Sequence, residues 1–268
     1  MVDLTPARLV RASRAEGDPA ELSAEVDATR RDLVRAAESL GRAAGYGGWG
    51  AAGAREWRTA TVSDLARGGA LTLLRTVPEA ARGRAGGEGV DGAVVDDRPV
   101  LTAADIARGC GPTGDAAKPG GGGAAPVIAS GDVLVRAVAN GGGPMARVVG
   151  EEEAGAQVHL FRPDPARLDP WFLAGFLAAD DNIAGASTGS TVLNVSPGRL
   201  RVPLLPLEEQ RPYGEAFRRV HELRAQTRRA TRLAEDTARL LARGLAGGGQ
   251  LLPSRDATGH WPGGGTRP

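Results

Sequence analysis

Lysine, cysteine, net charge and long apolar runs are all scarce in this chain. Of its 33 lysine and arginine residues only Lys118 is a lysine. That bias suits a GC-rich coding sequence, so the number of arginines is not by itself a sign of function. A formal net charge of +1 excludes the overall basic excess of a stand-alone nucleic-acid binder; any charge offered to nucleic acid has to be local or come from a partner. The single cysteine, Cys110, excludes an intramolecular disulfide framework. It fits a reducing cytoplasm and reads as a small buried or loop residue. No stretch reaches the roughly 18 apolar residues of a membrane span, and the opening residues 1–13 lack the apolar core of a signal peptide. A cytoplasmic protein with no membrane contact is expected. His159, His221 and His260 stand apart from ligand-like neighbours and read as a strand, a helix-surface and a tail residue, and Glu151-Glu152-Glu153 as a solvated turn, so no metal site is expected.

What is present is organised in five parts. With 268 residues, 41% of them hydrophobic, the chain can bury one good core or two modest ones. Residues 1–18 form a flexible start that ends in Gly17-Asp18-Pro19. Over 19–45, Leu22, Val26, Thr29, Leu33, Ala36, Leu40 and Ala43 recur at alternating spacings of four and three, the narrow apolar stripe of a helical seam. Gly45-Tyr46-Gly47-Gly48 stops it.

Residues 46–206 are a loop-rich domain of short apolar runs: Ala70–Leu74, Ala93–Val95, Val127–Ile128, Val133–Val138, Ala146–Val149 and Val158–Phe161, which read as strands. The glycine run Gly120–Gly123 reads as a flexible linker, since no phosphate-binding lysine and hydroxyl follow it. Asp169-Pro170 predicts the start of a helix over Trp171–Ala179, and a polar stretch at 186–191 leads into the alternation Val192, Asn194 and then Leu200, Val202, Leu204 and Leu205.

From Leu207 a second long helix, 207–246, is predicted, with a kink at Pro212. Its four-three stripe runs through Tyr213, Ala216, Val220, Leu223, Thr227, Ala230, Ala234, Thr237 and Leu241, reinforced by Leu233 and Leu240. Between Arg211 and Arg243 nine arginines face four acids, a local surplus hidden by the neutral total. The glycine-rich tail 247–268 is expected to be disordered, with Trp261 its only large anchor. The fold class predicted is α+β: a mixed-sheet domain flanked by long helices suited to an antiparallel coiled coil, within one chain or across a dimer. No internal repeat is evident.

Four short signals then occur in a particular order. Gly131-Asp132-Val133-Leu134-Val135 is followed by Leu168-Asp169-Pro170-Trp171-Phe172-Leu173, by Thr188-Gly189-Ser190-Thr191-Val192-Leu193-Asn194-Val195, and by Val202-Pro203-Leu204-Leu205-Pro206-Leu207-Glu208-Glu209-Gln210. This order resembles the closing half of a target-recognition domain in specificity subunits of type I restriction-modification systems. Upstream, Trp57-Arg58 to Asp64-Leu65 resembles that family's opening strand and turn, and Pro99-Val100-Leu101 to Asp105-Ile106 a middle element. The segment Val2-Asp3-Leu4-Thr5-Pro6 and the arginine-rich style also resemble the carboxy-terminal recognition region of actinobacterial N-6 adenine DNA methylases.

The resemblance implies a non-catalytic module that binds double-stranded DNA and directs a separate adenine DNA methyltransferase, which would itself hold S-adenosylmethionine; a restriction subunit is a further candidate partner. The chain has neither an Asn-Pro-Pro-aromatic motif for a flipped adenine nor a carboxylate-carboxylate-lysine cluster for metal-assisted hydrolysis, and no cofactor of its own is expected. Candidate DNA-binding residues are Arg136, Asn140, Arg147, Thr188, Ser190, Thr191 and Asn194; candidate partner or spacer-helix residues are Leu22, Val26, Leu33, Leu40, Val220, Leu223, Leu233 and Leu241. One recognition domain reads one half-site, so a bipartite site requires a homodimer or a partner's second domain. Two alternatives stay open: a scaffold that keeps the helices but does not read sequence, and a separated piece of a fused methylase.

Overall fold

The computed structural model describes residues 18–45, 50, 53, 56–74, 100–113, 128–140, 142–149, 153–154, 158–246 and 251. The flexible start, the strand at Ala93–Val95, the glycine run Gly120–Gly123 with Lys118, and the tail with His260 and Trp261 lie outside them, apart from Asp18 and Leu251.

Two units divide the chain, one drawn from Met1–Gly48 and Leu223–Pro268, the other from Trp49–Glu222. The first is helical. Helix α1 (Pro19–Ala44) starts as its sequence predicts, with the Asp18 carboxylate accepting the Ala20 N–H at 2.9 Å and Pro19 in its first turn. Its stripe is the covered face: Leu22, Val26 and Ala36 are buried, and Leu33 and Leu40 half-buried. The partner in this unit is the distal part of the last helix, Leu207–Ala246. Arg243 pairs with Glu25 at 3.3 Å, and a Cβ added at Gly244 would lie 3.1 Å from Leu22. The end of one helix therefore lies beside the start of the other, the arrangement of an antiparallel pair. Along the distal helix the covered line runs through Leu223, Ala230, Leu233, Thr237, Leu240 and Gly244, while Thr227, Ala234 and Leu241 are exposed. The predicted stripe is thus off by one residue at alternate steps, because the larger side chains of Leu233 and Leu240 take the inward positions.

The second unit is built on a four-stranded antiparallel sheet in the order β2-β7-β4-β5: β2 Leu71–Leu74, β4 Val133–Arg136, β5 Ala146–Val148 and β7 Val158–Pro163. In β4, successive side chains point to opposite faces, and both faces are covered. Val133 and Val135 join Phe161, Phe172, Leu173, Leu177 and Leu200 in one core; Leu134 joins Leu101, Ile106, Ile128 and Leu160 in another. Burial on both sides explains why β4 reads as an unbroken apolar run rather than an alternation. Among the described residues this sheet is wholly antiparallel, and three separate two-stranded pairs accompany it, one of them parallel. Strand β1 (Thr59–Thr61) runs antiparallel to β10 (Arg201–Pro203), β8 (Ser187–Thr188) antiparallel to β9 (Asn194–Val195), and β3 (Val100–Leu101) parallel to β6 (Glu153–Ala154). Ile128 is buried but belongs to no strand.

Two six-residue helices, α2 (Val62–Arg67) and α3 (Ala103–Arg108), stand where only strands and turns were expected. Each is opened by a capping box, Thr61 with Asp64 and Thr102 with Asp105. Although no domain-scale repeat is present, the matching octapeptides Thr61-Val62-Ser63-Asp64-Leu65-Ala66-Arg67-Gly68 and Thr102-Ala103-Ala104-Asp105-Ile106-Ala107-Arg108-Gly109 correct the reading that the sequence holds no internal repeat. Helix α4 (Pro170–Leu177) forms as predicted, with the Asp169 carboxylate accepting the Phe172 N–H at 2.8 Å. Helix α5 (Asp180–Ala186) follows it, and α6 is the long helix Leu207–Ala246, assigned as helix through Pro212. No described helix is long and apolar enough to cross a membrane.

Candidate nucleic-acid interface

Between β8 and β9 the chain turns through residues 189–193. Gly189 has φ 110°, and a Cβ there would collide with the Val192 carbonyl oxygen, so the tight turn needs glycine. The loop is then fixed from outside by Asn140. Its Nδ2 donates to the Thr191 carbonyl at 2.7 Å, and its Oδ1 accepts the Leu193 N–H at 2.9 Å. Backbone bonds Ala139 N–H to Leu193 O and Val195 N–H to Ala137 O, both 2.8 Å, extend this seam. Beneath it, His159 Nε2–H donates to the Val195 carbonyl at 3.0 Å. Burial pushes the His159 pKa below its ordinary value, with the Val195 bond partly offsetting it, which favours a neutral ring.

A loop held through its backbone leaves its side chains available. Ser190 and Thr191 are exposed, and their hydroxyls make no hydrogen bond among the described residues. Val192 and Leu193 are 48% and 40% exposed. The tip thus offers two hydroxyls, which can donate or accept, beside two apolar side chains. Base edges in a DNA groove present the matching chemistry of donors, acceptors and thymine methyls.

The other predicted DNA-binding residues are occupied within the fold. Asn140 spends its amide on the loop. Arg136 is buried, with Nη2 donating to the Asn140 carbonyl at 2.6 Å and Nη1 to the Gly142 carbonyl at 3.3 Å, so it braces the turn that carries Asn140. Arg147 donates to the Cys110 carbonyl. Thr188 and Asn194 bond weakly across the hairpin, at 3.5 Å to the Asn194 carbonyl and 3.4 Å to the Val192 carbonyl. Of the predicted spacer-helix residues, Leu22, Val26, Leu33, Leu40, Leu223 and Leu233 lie on covered or half-covered faces, while Val220 and Leu241 are 38% and 36% exposed.

Two of the sequence signals turn out to be one joint. Gln210 is buried; its Oε1 accepts the Asp169 N–H at 2.9 Å, and its Nε2 donates to the carbonyls of Arg167 (3.1 Å) and Leu205 (2.8 Å). The Pro-Leu-x-Glu-Gln segment is thereby locked to the Asp-Pro start of α4. Gly214 and Gly175 permit close approach, since a Cβ at either would collide with Asp169 or with the Phe217 ring. Phe172, Phe176, Phe217, Tyr213 and Trp57, half of the chain's aromatic residues, pack edge-on or tilted around this joint with centroids 4.7–6.4 Å apart. These groups account for the first turns of α6 belonging to the sheet unit rather than to the helical one.

A polar cleft of about 520 Å³ opens at the base of the loop, lined by Ser63, Arg67, Asp181, Ser196, Arg199 and Arg201 among others. Its walls are tied by Val62 N–H to the Leu200 carbonyl at 2.8 Å, and by Asn182, whose Oδ1 accepts the Arg201 N–H and whose Nδ2 donates to the Arg201 carbonyl, both at 2.8 Å. Sequence inspection missed this cleft, because the β1–β10 pairing brings together residues about 140 positions apart. The signal was the alternation Arg199-Leu200-Arg201-Val202, with Leu200 and Val202 buried.

The architecture is that of an α+β protein with a long carboxy-terminal helix. No protein-family model matches the chain, and no curated protein matches it. Solved structures that are similar to it include one of complex assembly and conformational transition in a type I R-M system, with 19% identity and a TM-score of 0.40 over 87% of this chain and 58% of that one. Another is the HsdS subunit from Thermoanaerobacter tengcongensis, with 19% identity and a TM-score of 0.35 over 87% and 57%. A third is the type I restriction-modification S subunit from M. genitalium, with 13% identity and a TM-score of 0.39 over 88% and 57%. The chain spans less than two thirds of the length of each.

Proposed function

We propose that this chain is a non-catalytic module that reads a DNA half-site with the loop 189–193 and directs a separate adenine DNA methyltransferase, with or without a restriction subunit, to that sequence. The observation that carries the reading is the loop itself: its backbone is fixed by Asn140 and Gly189, while Ser190, Thr191, Val192 and Leu193 are free at its tip. A pre-shaped backbone lowers the ordering cost of inserting a loop into a groove. The ordered motif set supports the same reading, and the helical pair supplies surfaces for a partner or a second copy. The module itself holds no cofactor; S-adenosylmethionine belongs to the partner enzyme.

The test is co-expression with a partner adenine methyltransferase followed by methylome sequencing. A methylated motif that vanishes when this chain is deleted, and changes when residues 190–193 are replaced, is the expected result. Methylation that stays the same without the chain would overturn it, and a motif indifferent to 190–193 would favour the scaffold reading.

A further inference from the structure

The cleft beside the loop has features the loop does not use. Arg199 ends the short 3-10 turn Pro197–Arg199 and Arg201 opens β10; they flank fully buried Leu200, and both line the cleft. Among the described residues neither guanidinium makes an ion pair or a side-chain hydrogen bond. The backbone between them is held on both sides: the Leu200 carbonyl accepts the Val62 N–H, and the Arg201 backbone exchanges two bonds with the Asn182 amide. Ser63 and Ser196 add exposed and half-exposed hydroxyls without a described partner, and Gly198 allows the Ser63 hydroxyl to stand against the turn, since a Cβ there would collide with it. Asp64 is occupied by Thr61 and Arg67. Asp181 is the one lining carboxylate with no described partner. Position along the chain gives the cleft its meaning: Gly185 on its wall lies in the last turn of α5, two residues before β8, and Ser196 directly follows β9, so both strands beneath the loop rise from its edge.

We infer that this cleft grips a phosphodiester of the duplex that the loop reads, with Arg199 and Arg201 supplying the charge and Ser63 and Ser196 the neutral donors. The inference rests on the DNA-reading proposal and adds a sequence-independent anchor to it. Phosphate contacts fix register without carrying sequence information, and each releases counterions, so they are recognised by salt dependence rather than by base preference.

The full-length chain is titrated by fluorescence anisotropy into a random-sequence duplex pool and into a duplex enriched from that pool by the wild-type protein, across a series of salt concentrations. Replacing both arginines (R199A/R201A) is expected to lower affinity for both duplexes alike, on the order of tenfold, and to reduce the log–log salt slope by about 0.9, the value for one phosphate. R199K/R201K restores the slope. D181N shifts affinity the opposite way. Unchanged affinity and slope in R199A/R201A, with wild-type binding intact, overturns the anchor and leaves the reading loop standing; a loss confined to the enriched duplex also overturns it, because it makes the arginines base readers. Absence of duplex binding by the wild type at every salt overturns both proposals. Both arginines are exposed, so a thermal melt of each variant matching wild type is expected.

Discussion

Thr61–Gly68 and Thr102–Gly109 share Thr, Asp, Ala, Arg and Gly at equal spacing, close the same capping box, and differ in what stands against the aspartate. In the first copy Asp64 is exposed on the cleft side, bonded to the Thr61 hydroxyl at 2.6 Å and to Arg67 at 2.9 Å. In the second, Asp105 is fully buried, and the chain's own Thr113 fills the space: its hydroxyl donates to Asp105 Oδ1 at 2.6 Å and its N–H to Oδ2 at 3.2 Å, with Cys110 and Arg108 alongside. Burial raises the Asp105 pKa, but the bonds from Thr113 and Thr102 outweigh it and hold the carboxyl well below the usual carboxylate range. One local sequence therefore builds one local structure twice, and packing alone decides whether it becomes a sealed core or an open cleft.

The largest test of that contrast is Asp105→Ala, which strands several buried donors at once. It should cost about 3 kcal/mol in chemical denaturation, and a loss as small as that of Asp64→Ala would erase the distinction.

Next, Thr113→Val should cost about 1 kcal/mol at neutral pH and also change the acid limb. The folded Asp105 pKa lies below the ordinary aspartate value of 3.8, so its contribution is complete above about pH 4 and drains away as pH falls through the folded value. Stability measured against pH should fall less steeply below about pH 4 in Thr113→Val, whereas an acid limb like that of wild type would remove Thr113 from the account.

A closer comparison pits Thr102→Ala against Thr61→Ala. Each loses an N-cap worth about 1 kcal/mol, and Thr102→Ala should be the more damaging because its hydroxyl also satisfies the buried carboxylate. Equal losses would mean that the cap, not burial, sets the energy. The smallest effect belongs to Asp64→Ala, whose hydrogen bonds with Thr61 and Arg67 hold its carboxyl low at an exposed site; its denaturation midpoint should be hard to tell from wild type.

These two turns also show what a sequence reveals and what it hides. Long elements announce themselves: α1 and α4 begin at Asp-Pro pairs and α1 carries its stripe on the covered face. Helices α2 and α3 are too short to display a period, and only their Thr-x-x-Asp boxes could have betrayed them. Helix α5 has no side-chain cap at Ala179 and gave no such sign. In the site, exposed Ser190 and Thr191 were legible as polar loop residues. Asn140 and Arg136 were legible as polar but not as braces, because whether an amide or guanidinium faces solvent or a neighbouring carbonyl depends on partners as distant as Thr191.

The Asn140 clamp has one more consequence. It touches only main-chain atoms of the loop, and the Gly189 turn is packed against a main-chain oxygen, so the bonds that hold the loop do not call on the side chains at 190–193, provided the N–H of residue 193 is kept. Those four positions behave as an interchangeable alphabet written on a constant template: new side chains can be tried there without redesigning the frame that presents them.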